Sequence, residues 1–334
     1  MTADPDAPAQ PLEGQQQFPK DDFIKAMKKR IALKKAAVFQ ARQGELGQND
    51  ESDDMGVPPA APSRSPTLLD TSTPKREQRR QASLGWLLTH YNLKRVCVAV
   101  LYEPGSGGTQ GKMILAANNG PEGMKEQAEK ILKAQNEAEV DQVTRELLET
   151  YSEALKDRKA RGRKKPFDKW PKDEQTKFKA AITRRVKKVN AYLRSLAPAP
   201  QFTVTDHARV PDQHCEMRLV DDLLQRSSPT STNGVSLGIS KLCCAKCYLA
   251  LEALVAVKNI KIDVQGAHMG VFPKWPLPRF LDDPLVMEKF LGPDAYARYE
   301  RNPEIARETI QNLEDFQGGG SKGKIDYESS GEET

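Results

Sequence analysis

Apolar positions first recur at helical spacing between residues 21 and 43. Phe23, Ile24, Met27, Ile31, Val38 and Phe39 fall roughly on one face, with Lys25, Lys28, Lys29, Arg30, Lys34 and Lys35 between them. The pattern predicts a basic amphipathic helix over 21–43, stopped at Gly44. Such a helix can dock on its own chain, on a protein partner or on a membrane surface. Periodicity then lapses over 44–80, where a Pro-rich run around Pro58, Pro59, Pro62 and Pro66 prevents regular helix and reads as a linker. It resumes from Ser83 to Leu93, with Leu84, Leu87, Leu88 and Tyr91 at helical spacing. The first strand pattern is the β-branched run from Arg95 to Tyr102. A glycine-rich turn over 103–111 leads to a second strand over 112–117, so the two form a hairpin that closes at Asn118, Asn119, Gly120 and Pro121.

Residues 122–197 are helical in composition, with a weak apolar stripe at Ile131, Leu147, Leu148, Tyr151 and Leu155. They read as an inserted helical subdomain ending at Pro198 and Pro200. From Gln201 the pattern becomes compact: a helix over 214–224, a strand over 235–240, a strongly apolar helix over 244–258, a strand over 260–264, and the start of another at Val271 and Phe272. Short helices follow Trp275, among them 303–313. The polar ends, 1–20 and 317–334, carry too little apolar surface to fold and are expected to be disordered. The resulting division is an N-terminal region 1–80 containing the helix at 21–43, a main domain 81–316 that includes the insertion 122–197, and the tail 317–334.

Only 38% of the 334 residues are hydrophobic and 29% are charged, consistent with part of the chain lying outside a packed core. The net charge of +5 matters less than its distribution. Residues 156–194 hold 16 Lys and Arg against 4 Asp and Glu, with Phe167, Trp170 and Tyr192 interleaved. A block of this kind is either a solvated helical face or the footprint of a polyanion, most often nucleic acid. No apolar leader stands in the first twenty residues, and the most apolar run, 247–257, is too short to span a bilayer. A soluble, cytoplasmic protein is expected, with non-classical export as an effector or a nuclear location left open.

The five cysteines change the picture most. Cys215, Cys243, Cys244 and Cys247 crowd into 33 residues, unlike the spread of a secreted disulfide framework. His214 and Glu216 open one predicted helix; Cys244 and Cys247 open another after an intervening strand. Two thiols one turn apart at a helix N-terminus favour the thiolate form that binds zinc. His214 adds a nitrogen ligand, and three protein ligands leave a tetrahedral position for water. Glu216, two residues beyond His214, is placed to carry protons rather than to bind Zn2+. The chemistry this predicts is hydrolytic removal of an exocyclic amine. A closed structural site, with Cys243 or Cys215 as fourth ligand, and a core of unmetallated cysteines are the alternatives.

With these residues the chain resembles the cytidine deaminase-like superfamily, whose signature is H-x-E followed by P-C-x-x-C. Cys243 stands at the proline position here. That departure, with the stretches at 214–219, 239–247 and 266–275, resembles a subgroup of bacterial toxin-type and related fungal deaminases. The resemblance covers about 95–120 and 201–280. It implies an α/β fold, a mixed sheet flanked by helices, with the hairpin as its first two strands. It implies substrate contacts from Asn118 at the end of the second strand, which is also good turn chemistry, and from His268 and Trp275. Trp275 is equally suited to packing, and His207 reads as a surface or capping residue. The reaction expected is cytosine to uracil, adenine remaining open, in single-stranded DNA or RNA, the basic block favouring nucleic acid. A free nucleoside or nucleotide deaminase, and a structural-zinc binding module without turnover, are the rival readings.

Overall fold

The computed structural model describes residues 18–45, 75–93, 97–105, 109–156, 165–206, 210, 212–226, 235–264 and 269–314. Five strands form one mixed sheet: β1 (Val98–Glu103), β2 (Lys112–Ala117), β3 (Gln201–Val204), β4 (Val235–Ile239) and β5 (Ile262–Val264), in the order β3-β2-β1-β4-β5. β1 is antiparallel to both neighbours, pairing Val98 with Ala117 and Ala99 with Ile239. β2 and β3 run parallel, as do β4 and β5. The hairpin expected over 95–117 is present, although residues 94–96 lie outside the described residues. The fifth strand is not at Val271 and Phe272, which have no strand conformation. It is β3, at the opposite edge. Its four residues are too few to show a period, and its parallel partner β2 lies more than eighty residues earlier.

Alternation along the strands divides the core in two. Ala99, Leu101, Ile114, Ala116, Leu237 and Ile239 face one side, against α6 (Cys215–Arg226) and α7 (Ala245–Lys258). Val98, Val100, Met113 and Leu115 face the other, against α2 (Lys75–Tyr91), α3 (Met124–Lys133) and α5 (Lys172–Ser195), with α4 (Glu137–Lys156) adding Val143 and Leu147. α2 starts before Ser83, so its first turns occupy the end of the expected linker. Gln78 donates to the Leu237 carbonyl at 3.4 Å and Gln81 to the Tyr192 hydroxyl at 3.4 Å, tying those turns down. The helix lies close on the sheet because Gly238 leaves room for it: a Cβ there would sit 2.2 Å from that of Gln81.

The part of the basic segment in α5 is built into the domain as a layer over the sheet, and residues 157–164 lie outside the described residues. Ile182, Val186, Val189 and Leu193 of α5 are buried, and Arg185 lies 4.0 Å over the Trp86 ring. Phe167 and Trp170 pack edge-on to each other and to Tyr151, and both rings meet Phe178, Trp170 edge-on and Phe167 tilted. These rings form an aromatic cluster.

On the α6 and α7 side, α1 (Lys20–Glu45) buries Phe23, Met27 and Ile31 in the core of its own chain. Arg30 donates to the Phe290 carbonyl at 2.7 Å, and Lys34 pairs with Glu252. α8 (Pro284–Leu291), α9 (Pro293–Tyr299) and α10 (Pro303–Asn312) complete that layer. Among the described residues no helix is long and apolar enough to cross a membrane.

Candidate metal centre

His214 immediately precedes α6, Glu216 lies in its first turn, and Cys244 is the N-cap of α7. The Cys244 sulfur accepts from the Cys247 backbone N–H at 3.4 Å, using one of the donors that a helix start leaves unpaired. α6 and α7 both pack on the face of the sheet containing Ala99 and Ile239, which brings their N-termini together.

The ligand atoms of His214, Cys244 and Cys247 all lie within 4.8 Å of one another. His214 Nδ1 is 3.6 Å from Cys244 Sγ and 3.3 Å from Cys247 Sγ. A tetrahedral zinc with ordinary Zn–S and Zn–N bonds has N···S edges of about 3.6 Å, so the donor set fits that ion in both chemistry and spacing. No fourth Cys, His, Asp or Glu joins this trio among the described residues. Cys215 groups instead with Cys97 and Glu216. Among the described residues the trio has the three-ligand composition of an open site.

The charges suit ligation. Burial disfavours the His214 imidazolium, but its hydrogen bond to the Cys244 sulfur and the nearby Glu216 carboxylate outweigh burial and push it up to about 9. Burial likewise opposes ionisation of Cys244, yet hydrogen bonds from Cys247 and His214 pull it down to about 6. Cys247 is driven well above its ordinary value by burial. Without metal the trio at neutral pH is an imidazolium, a thiolate and a thiol.

Glu216 is 3% exposed, with Oε1 4.0 Å from His214 Nδ1. Its Oε2 accepts from the Cys215 thiol at 3.2 Å. The preceding loop is fixed by polar groups of α6: Arg218 donates to the carbonyls of Asp206 at 3.0 Å and Val210 at 2.6 Å. The Asp221 carboxylate accepts from Gln213 at 2.7 Å and from the Arg279 backbone at 3.0 Å.

Trp275 is fully buried, and its indole N–H donates to Cys247 Sγ at 3.2 Å. Its ring stacks on Phe290. It lies behind the candidate ligand Cys247, in the packing position that was the alternative for it. Phe272, expected only as the start of a strand, is a half-buried ring beside His214, at 6.2 Å between centroids. Lys246, inside the C-x-x-C step, is fully buried and donates to the carbonyls of Ile310 at 2.9 Å and Gln311 at 3.0 Å at the end of α10. Burial pulls its pKa down to about 8.

Asn118 follows β2, its backbone N–H bonded to the Cys97 carbonyl at 3.2 Å. Its side-chain oxygen is buried and accepts nothing from the described residues. With its amide nitrogen turned toward its two acceptors, Asn119 donates to the Asn118 carbonyl at 2.9 Å and to Asp212 at 3.0 Å, joining this loop to the one before His214. His268 and His207 lie outside the described residues.

Residues 213–279 match the family model described as "OTT_1508_deam:-like deaminase". No curated protein matches the chain, and no solved structure does. The matched segment contains His214, Glu216, Cys244 and Cys247, so the stretch that carries the candidate centre is deaminase-like as a sequence and able to hold a metal as a structure.

Proposed function

We propose that this chain is a zinc-dependent hydrolytic deaminase of a nucleobase, with His214, Cys244 and Cys247 as metal ligands and Glu216 as the proton carrier. The observation that carries the reading is the placement of Glu216 Oε1 4.0 Å from His214 Nδ1, beside a trio with tetrahedral spacing. A zinc held by the trio would supply the Lewis acidity that makes water a nucleophile at neutral pH. Glu216 would serve as the proton carrier, moving one proton of the attacking water to the ring nitrogen of the base and another to the departing amine. The C–N bond breaks, a C=O takes its place, and ammonia leaves.

The buried, unsatisfied oxygen of Asn118 is the group on this side of the hairpin best suited to accept from a sugar hydroxyl or an amine. Phe272, whose ring lies 6.2 Å from that of His214, is the ring we favour over the fully buried Trp275 for contact with a base. Cytosine in single-stranded DNA or RNA is the substrate we favour. A stacked base cannot reach a buried centre without leaving its helix, and the exposed stripe of α5 carries Lys179, Arg184, Lys187 and Lys188.

The test pairs zinc content with uracil formation on mixed-sequence single-stranded DNA and RNA, for the native chain and for Glu216→Ala. Stoichiometric zinc in both with uracil from the native chain alone is expected. Zinc in both with no product from any nucleic acid, nucleoside or nucleotide would leave a structural-zinc module. A native chain without zinc would overturn the assignment.

A further inference from the structure

All five cysteines converge on this one region, and the metal reading uses only two. Cys97, Cys215 and Glu216 form a second buried cluster whose sulfur and carboxylate atoms lie within 4.8 Å of one another. Cys215 donates to Glu216 Oε2 at 3.2 Å. Cys243, at the position where the superfamily signature has proline, is fully buried and also hydrogen-bonds the Glu216 side chain. Behind Cys215 stands Cys97, hydrogen-bonded to it. Behind Cys97 stands Ser240, whose hydroxyl donates to Cys97 Sγ at 3.5 Å and accepts from the Val98 N–H at 2.9 Å.

Val98 N–H donates to Ser240 and Ser240 to Cys97, while Cys215, hydrogen-bonded to Cys97, donates to the carboxylate. The donors run from the start of β1 and the end of β4 to the first turn of α6. A carboxylate torsion is broad and roughly two-fold, so an unanchored Glu216 could present either oxygen, at either angle. Here Oε2 is held on the thiol side while Oε1 faces His214 Nδ1. A thiol is a weak donor, so it orients the carboxylate while stabilising its charge less than a hydroxyl would. A group that must take up and release a proton in each cycle benefits from that balance.

We propose that Cys215 and Cys243 are positioning residues that orient the Glu216 carboxylate by S–H donation, Cys215 holding Oε2 while Oε1 stays on the His214 side for proton transfer, with Cys97 and Ser240 packed behind Cys215. This rests on the deaminase reading for its purpose, though not for its geometry. It accounts for cysteines that bind no metal, one of them replacing the signature proline.

The experiment uses the zinc-loaded full-length chain. Infrared absorption in the S–H stretching region, where no other protein group absorbs, reports thiols directly. Cys244 and Cys247 are silent there as zinc thiolates, so Cys97, Cys215 and Cys243 remain. We expect Cys215→Ser to abolish a low-frequency band, and Glu216→Gln to move the bands of Cys215 and Cys243 upward, because a neutral amide accepts more weakly than a carboxylate. Bands unmoved by Glu216→Gln would overturn the proposal whatever the catalytic outcome. On the mixed single-stranded pool, Cys215→Ala should lower uracil formation about tenfold with zinc retained, within the range for groups that orient a metal site from behind. Cys215→Ser should restore most of it; equal loss in both would also overturn the proposal. Absence of uracil from the native chain would remove the deaminase reading while leaving the infrared result to decide the geometry.

Discussion

Trp275→Phe isolates one hydrogen bond to a metal ligand. The indole N–H donates to Cys247 Sγ at 3.2 Å, and its ring stacks on Phe290 with centroids 6.0 Å apart. Phenylalanine keeps an aromatic ring in that place and removes the donor. When the sulfur is a zinc thiolate, the lost bond is one to a charged acceptor, about 1.5–3 kcal/mol. At about 1.4 kcal/mol per decade that is roughly ten- to 150-fold in zinc affinity. The smaller ring also leaves a void behind α7, which costs global stability by about 1–3 kcal/mol. The two effects are separable. Zinc affinity is read by competition with a chelator of known affinity, and stability by denaturant unfolding of the metal-free chain. Trp275→Leu, which lacks both donor and ring, should lose similar affinity to Trp275→Phe and more stability. Native zinc affinity in Trp275→Phe, with stability lowered, would refute the argument and leave Trp275 as packing alone.

Zinc binding should tighten with pH, and the sign follows from the ligands. Between about 6 and 9 the metal displaces a proton from His214 and one from Cys247, while Cys244 is already ionised; affinity should rise about a hundredfold per pH unit, and below about 6 more steeply as Cys244 also protonates. Chelator competition across that range checks it, and a tenfold slope would mean that the metal displaces one proton and that His214 is neutral in the metal-free chain. Gly238→Ala should be strongly destabilising, because its Cβ would meet Gln81 Cβ at 2.2 Å and the Ala82 nitrogen at 2.5 Å; a loss of at least about 3 kcal/mol in denaturant unfolding is expected, and near-native stability would contradict the close packing of α2 on β4. If single-stranded nucleic acid tracks the outer stripe of α5, replacing Lys179, Arg184, Lys187 and Lys188 together by Ala should reduce the slope of log affinity against log salt by about 3. An unchanged slope would place the polyanion elsewhere.

The parts of this protein readable from sequence are those with a strong local pattern. The strand over 112–117 and the helices at 215–226 and 245–258 carry dense apolar runs, and the candidate ligand trio follows from residue types that have few other reasons to cluster. β3 was not legible, since four residues of parallel edge strand are defined by their partner and carry no period of their own. Nor was the start of α2. Its first turns are polar, and what holds them is the Leu237 carbonyl and the Tyr192 hydroxyl, both more than a hundred residues away. Trp275 and Phe272 sit three residues apart in one loop, and composition alone cannot say which faces His214 and which backs Cys247. Cys97 is the plainest case. It lies 118 residues before Cys215 in an ordinary strand pattern, and only the sheet brings the two sulfurs together.

Much of what supports the metal centre comes from beyond the segment with deaminase character. The matched residues end at 279, yet the Lys246 ammonium is spent on the carbonyls of Ile310 and Gln311, and the Trp275 backbone N–H donates to the Gln311 carbonyl at 3.0 Å. A buried ammonium is tolerated where it has acceptors, and the C-terminal end of a helix offers carbonyls together with the negative end of the helix dipole. α10 therefore stabilises the charge of Lys246, and Lys246 in turn fixes the turn of α7 between the two thiol ligands. Phe290 of α8 backs Trp275, which donates to the second of those ligands. From the other direction, Val98 and Ser240 lead through Cys97 to Glu216. The proposed ligands and proton carrier are thus braced from opposite sides, by the C-terminal helices and by the sheet. Loosening α10, for example by replacing buried Ile310, should disturb metal affinity before it disturbs the Glu216 carboxylate.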